Sequence, residues 1–219
     1  MDEIGAVAVL GDPVRRRLYD AVAAATGPIG REEAATAAGV PVHSARFHLD
    51  KLVDAGLLEV SYARLTGRSG PGAGRPAKLY RRSDMDVAVT LPRRSYDLVG
   101  GVLAAALERT LAGDDAAASL RDEAQALGRA TGAAYDGSGG ELERVSEVLA
   151  GEGYEPRRQG SEVRLRNCPF DALATDHTAL VCGVNLDFVT GVLDGLGCAS
   201  ARARLEPDAE HCCVRVGVR

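Results

Sequence analysis

The sequence predicts an α+β chain in three parts. An N-terminal unit of three short helices is closed by a basic hairpin, a helical segment follows, and a small C-terminal α/β unit with an antiparallel sheet ends the chain. Three observations carry this. Apolar residues recur at helical spacing to about residue 131, with extended runs only near 57–63, 77–82 and 87–91. A Gly-rich stretch at Tyr135–Gly140 then separates this region from one in which helices alternate with short strands. Charge changes as well: residues 1–83 hold 12 basic and 9 acidic side chains, and residues 84–219 hold 14 and 22. The expected domains are 1–90, 91–134 and 141–219.

Composition narrows the classes. A chain of 219 residues with 46% apolar and 26% charged residues can bury a core, which excludes a disordered protein and a long coiled coil. The apolar uncharged stretch Leu98–Leu107 has only ten residues, and no uncharged stretch approaches the ~20 of a membrane helix. The N-terminus Met1-Asp2-Glu3 is acidic where a secretory signal is basic. A cytoplasmic protein with no membrane partner is expected. With no Trp and three Phe, a basic N-terminal part fits duplex DNA reading through helices and Arg better than single-strand stacking.

Asp12 before Pro13 is an N-cap followed by a first-turn proline, and Val14, Leu18, Val22 and Ala25 give the first helix its apolar stripe. Gly27-Pro28 breaks it. A second helix runs from Arg31 to Ala38, Gly39 makes the turn, and a third runs from Pro41 to about Ala55. In the third, Ala45, Leu49, Leu52 and Val53 point inward and His43, Ser44, Arg46, Phe47 and Asp50 outward. Strands over Leu57–Ala63 and Ala77–Arg82 flank a Gly- and Pro-rich tip expected to be flexible. Helices follow at about 94–112 and 115–131, then a helix at 141–150 and strands near 154–157 and 162–167. A short helix, a long helix at Thr178–Leu196 and strands near 200–205 and 212–218 complete the order.

Three short helices, a tight turn between the second and third, and a basic hairpin are the parts of a winged helix-turn-helix. The third helix would lie in the major groove, with His43, Ser44, Arg46, Phe47 and Lys51 as its contacts and Arg46 as the guanine reader. The hairpin offers Arg64, Arg68, Arg75 and Lys78 to phosphates, with no acidic residue between Glu59 and Asp84. Through Ser44-Ala45-Arg46-Phe47-His48-Leu49-Asp50-Lys51-Leu52, Ala55-Gly56-Leu57-Leu58 and Gly74-Arg75-Pro76-Ala77-Lys78-Leu79-Tyr80, residues 8–83 resemble the winged-helix domain of ArsR-like bacterial repressors. A small hydroxyl residue is more usual in that family where Arg46 stands. For His48, packing on the first helix is favoured over DNA contact. The stripe Val99, Leu103, Ala106 and Leu107 suits helix packing in a homodimer, which would match a palindromic operator.

Five cysteines in a cytoplasmic chain point to metal, cluster or redox chemistry rather than a disulfide scaffold. No CxxC occurs, so ligands would have to converge through the fold. At ~1.5 Å per helical residue, Cys198 stands roughly 20 Å along the long helix from Cys182 and is excluded. The following strand runs back and returns Cys212-Cys213 to the level of Cys182, where strand 162–167 also delivers Cys168. The order Cys168-Pro169-Phe170, Cys182, then a late cysteine pair resembles the SufR-type iron-sulfur repressors. That resemblance implies a cluster held by Cys168, Cys182 and Cys212, with Cys213, His177 or His211 in the fourth place. Zinc is the alternative metal. The expected function is a homodimeric DNA-binding repressor controlled by an iron-sulfur cluster. The alternatives are a regulator with structural zinc or a bare thiol switch, or one with a small organic effector pocket. No Walker loop, Rossmann glycine pattern, GxSxG or HExxH occurs, and an enzyme is not expected.

Overall fold

The computed structural model describes residues 3–64, 76–207 and 211–218. Packing divides the chain into two compact units, Met1–Val89 and Thr90–Arg219.

The first unit has the order α1 (Glu3–Val9), α2 (Pro13–Ala24), β1 (Ile29–Gly30), α3 (Arg31–Ala38), α4 (Val42–Asp54), β2 (Leu58–Ala63) and β3 (Ala77–Arg82). The Asp12 side chain accepts from the N–H groups of Val14 and Arg15 at 2.8 and 3.1 Å and so starts α2. Gly39 ends α3 at φ 63°, a left-handed turn that costs a glycine little. Leu18, Ala35, Ala45, Leu49, Leu52 and Tyr80 form the buried core. The strands make an antiparallel sheet in the order β1-β3-β2, with Tyr80 opposite both Ile29 and Val60. Sequence reading missed α1, which buries only Ala6, and β1, two residues behind the Gly27-Pro28 break. The extended piece expected at 87–91 is not a strand.

The second unit runs α5 (Tyr96–Leu111), α6 (Ala116–Ala133), α7 (Glu141–Gly151), β4 (Pro156–Gln159), β5 (Glu162–Leu165), α8 (Asp171–Asp176), α9 (Thr178–Gly195), β6 (Ala201–Leu205) and β7 (Val214–Val218). Its sheet is antiparallel in the order β4-β5-β7-β6. Val163, Leu165, Val214 and Val216 face Val145, Leu149, Phe188 and Val189 in one core. Where α9 turns into β6, the Glu141 carboxylate accepts from the N–H groups of Ala199, Ser200 and Ala201 at 2.7–3.2 Å. These bonds hold its pKa below the ordinary carboxylate value.

Helix α9 is long and apolar enough to cross a membrane by length and composition, although Asp187 and Asp194 interrupt its apolar run. Half of it is buried inside the protein, and Gln125 donates to Asp187 at 3.0 Å. These are the marks of a core helix. Its partner is α6, and the two backbones meet at glycines. A Cβ on Gly128 would lie 2.1 Å from the Phe188 carbonyl oxygen, and one on Gly132 2.4 Å from that of Val192. In return, a Cβ on Gly191 or Gly195 would lie 2.3 or 2.2 Å from the carbonyl oxygens of Gln125 and Arg129 respectively.

The stripe expected to join two copies divides. Val99 and Ala106 are buried in the unit's own structure, whereas Leu107 and Leu111 are 57% and 79% exposed. Gly128→Ala or Gly191→Ala should lower stability by about 2–3 kcal/mol or more through backbone overlap. Gly100→Ala, with open space at its Cβ, should be neutral or stabilise by up to ~1 kcal/mol. Urea unfolding of the full chain checks both.

Candidate functional site

In the first unit, α4 carries Ala45, Leu49 and Leu52 on its buried side, leaving His43, Arg46, Phe47 and Lys51 exposed and Ser44 half-buried. Phe47 is 59% exposed, an apolar ring on a polar face, with the Lys51 ammonium 6.0 Å from its centroid. His48 turns away from this face, and its Nδ1 lies 4.0 Å from the Asp12 carboxylate that caps α2. Beside α4, an open groove of about 800 Å³ is lined by Arg31, Arg46, Asp50, Tyr62, Lys78 and Tyr80, among others.

Asp50 bridges the two walls of that groove. It accepts from Lys78 Nζ at 2.5 Å and stands 3.9 Å from Arg46 Nε. Lys78, expected to meet phosphate, is thus already paired, and its ammonium sits 5.1 Å from the Tyr80 centroid. Arg81 is likewise held by Glu59 at 2.6 Å. Arg64 is exposed at the end of β2. Arg68 and Arg75 lie outside the described residues.

In the second unit, Cys168 follows β5, Cys182 is on the first turns of α9, and Cys212 and Cys213 precede β7. The fold brings these four thiols to one end of the unit. Cys168 and Cys212 are hydrogen-bonded to each other, as are Cys182 and Cys213, and Cys168 is near enough to Cys182 to act on its charge. The bond from Cys212, with a further one from the Phe170 N–H, holds Cys168 down to about 7. The same bond, with burial, pushes Cys212 strongly up. Burial, then the Cys213 bond, pushes Cys182 up to about 12. All five cysteines are free thiols. Cys198 stands apart, in the field of Glu141 and Arg144. His177 is exposed between α8 and α9.

Four residues that sequence reading missed hold these thiols. Arg94 donates through Nη1 to the Cys168 carbonyl at 2.6 Å and to Asn167 Oδ1 at 2.8 Å. Buried Asn167 in turn donates to the carbonyls of Arg93 and Gly153 at 2.8 and 2.6 Å. Asn185, 1% exposed, donates through Nδ2 to Cys212 Sγ at 3.1 Å and accepts from the Tyr154 hydroxyl at 2.5 Å. Burial, then the nearby thiols, raises Tyr154 well above its ordinary value and keeps it a donor. The available signal was Asn185 itself, a lone amide one helical turn after Cys182 in an apolar stretch.

As a donor set, four thiols on three segments suit a soft metal or an iron-sulfur cluster. Among the described residues, no group of three or more His, Cys, Asp or Glu is already arranged to hold a metal ion. The thiols are gathered as two hydrogen-bonded pairs.

Residues 10–61 match a protein-family model described as a helix-turn-helix domain. No curated protein and no solved structure matches the chain. The match covers α2, α3, α4 and most of β2, the elements that build the exposed face of α4, so this unit contains a helix-turn-helix domain, which supports a DNA-binding transcription regulator.

Asn185→Ala strands the buried Tyr154 hydroxyl and the Cys212 thiol. It should cost about 1–3 kcal/mol, and Tyr154→Phe less, because Asn185 then keeps its bond to sulfur. Thermal unfolding of the two variants gives the order.

Proposed function

We propose that the protein is a homodimeric transcriptional repressor whose operator affinity is set by an iron-sulfur cluster held by Cys168, Cys182 and Cys212, with Cys213 completing the set. The observation that carries this reading is the gathering of four thiols from three separate segments at one end of a unit joined to a helix-turn-helix. The similarity of the cysteine order to SufR-type repressors favours iron over zinc. A cytoplasmic location and a palindromic DNA operator follow from the same reading.

On DNA, the exposed face of α4 enters the major groove. Arg46 presents a guanidinium to guanine O6 and N7, and His43, Ser44, Phe47 and Lys51 flank it. Asp50 fixes the hairpin to α4 through Lys78 and limits the conformations of Arg46. Arg64, Arg68 and Arg75 supply phosphate contacts. The exposed Leu107 and Leu111 on α5 form the contact between two copies, so that two recognition helices address two half-sites.

A bound cluster supplies a redox-sensitive link between the chain after β5, the start of α9 and the chain before β7. Arg94 and Asn167 fix the Cys168 backbone, and Asn185 orients the Cys212 thiol. Because α9 is locked to α6 at four glycines, a change at the thiol end moves both helices together.

The pairing of Cys168 with Cys212 and the lack of a ready-made metal group among the described residues favour one second reading. In it the same cysteines act as a thiol switch without metal.

Protein prepared without oxygen should contain iron and acid-labile sulfide. Cys168→Ser and Cys182→Ser should lose both, and Cys198→Ser should keep them. Zinc or no metal, by elemental analysis, overturns the cluster. Arg46→Ala should weaken operator binding by about 1–3 kcal/mol and non-specific duplex binding less, as titrated by fluorescence anisotropy. Leu107→Asp with Leu111→Asp should convert a dimer to a monomer in sedimentation, and a wild-type monomer at micromolar concentration overturns the dimer.

A further inference from the structure

We infer that Arg157, Arg158 and Arg166, with Gln159 and His211, form a binding site for a small phosphate-bearing anion at the β4 edge of the second unit's sheet. The inference is independent of what the cysteines bind.

The unit is acidic, yet its cations are concentrated on this sheet. Residues 157–166 contain four arginines and one carboxylate, Glu162. The register puts Arg157 opposite Arg164, Arg164 opposite Arg215 and Arg215 opposite Arg204, a row of guanidinium side chains crossing all four strands. Like charges directly opposite one another repel, so each must be offset. At the β6 side the offset is internal. Glu162 and Glu206 pair with Arg204, and Glu206 also holds Arg215 at 2.7 Å. At the β4 edge, for Arg157, Arg158 and Arg166, no such offset occurs among the described residues: no carboxylate pairs with them, and the hydrogen bond of Arg158 goes to the Gly160 carbonyl at 3.3 Å.

These unpaired cations line a concave site rather than a flat patch. An open pocket of about 700 Å³ is bounded by Arg157, Arg158, Gln159, Arg166 and His211. Three guanidiniums, a carboxamide and an imidazole line the pocket with no acidic residue among the described lining residues, and the volume lies within the ~300–1,000 Å³ of small-molecule sites. Guanidinium forks match phosphate oxygens in pairs, and three of them call for a ligand with more than one negative charge, such as a diphosphate. The walls lead straight to the thiols. Arg166 is two residues before Cys168, His211 is next to Cys212, and the Cys212 N–H donates to the Leu165 carbonyl at 2.8 Å. An anion clamped between β4 and these two segments would stiffen the backbone that carries both cysteines.

The test is calorimetric titration of the full chain with inorganic phosphate, pyrophosphate and ATP, each against 150 mM chloride. Saturable binding of one equivalent of pyrophosphate or ATP is expected. It should weaken at least tenfold in Arg157→Ser with Arg166→Ser, and remain unchanged in Arg121→Ser on the exposed face of α6. The double variant should keep the melting temperature of the wild type, since neither side chain makes an ion pair among the described residues, and Arg157→Ser alone gives a milder form of the same loss. Undiminished binding in a folded double variant overturns the assignment, as does the absence of saturable binding of all three probes. If the double variant instead loses duplex DNA affinity and part of its salt dependence while the wild type ignores the small phosphates, the face contacts DNA and the small-anion site is wrong.

Discussion

The second unit depends on the approach of α6 and α9 at Gly128, Gly132, Gly191 and Gly195, where each helix lies against the other's carbonyl oxygens with no side chain between them. Such contact removes the adjustable layer through which helix pairs ordinarily absorb strain. Helix α9 is then fixed along its length, with its apolar residues on the sheet and α7. Cys182 and Asn185, near its start, inherit that rigidity, so the amide meets Cys212 Sγ from a fixed position. The sheet contributes the other thiols from chain segments just outside its strands, where Arg94 and Asn167 hold the Cys168 backbone and the Cys212 N–H is bonded to the Leu165 carbonyl. The cysteine group therefore combines one wall set by helix packing with two set by hydrogen bonds.

The first unit solves a different problem, which is to display cations without scattering them. Asp50 draws Lys78 and Arg46 toward one carboxylate, and Glu59 holds Arg81 across the hairpin. These partly exposed pairs contribute little stability, and their value lies in geometry: a hairpin tied to α4 keeps one spacing. In the proposed DNA complex a phosphate would have to compete with Asp50 for Lys78, so the charge available to DNA would be smaller than the count of basic residues implies.

Much of this architecture was legible in sequence because it rests on local signals. Asp12-Pro13, Gly39 and Gly56 mark helix ends by their backbone preferences, and the apolar spacing of Ala45, Leu49 and Leu52 assigns the faces of α4. Strand spans in the second unit were legible to within two residues for the same reason. The convergence of Cys168, Cys182 and the 212–213 pair followed from helix rise and strand direction alone. What escaped depends on tertiary contact. Ile29 and Gly30 are a strand only because Tyr80 and Leu79 lie beside them. The inward turn of Val99 and Ala106 required knowing what they pack against, and the roles of Arg94, Asn167 and Tyr154 arise from neighbours tens of residues away in sequence. The glycines of α6 and α9 read as weak helix positions until their partners are seen.

The Glu141 carboxylate closes the end of the second unit opposite the thiols, gathering three amides of the α9–β6 turn. Its pKa is depressed by those bonds, so the stabilisation they give is present above the pKa of the unfolded chain and is lost as pH falls through the lower folded value. The carboxylate grips only when bare, so acid works against the turn at Ala199–Ala201. The thiol end has no single proton demand: the bond between Cys168 and Cys212 holds the first thiol low and the second high, and burial holds Cys182 high. Helix α9 thus runs from a closure made of one bare acid to one that depends on a proton shared out among neighbours.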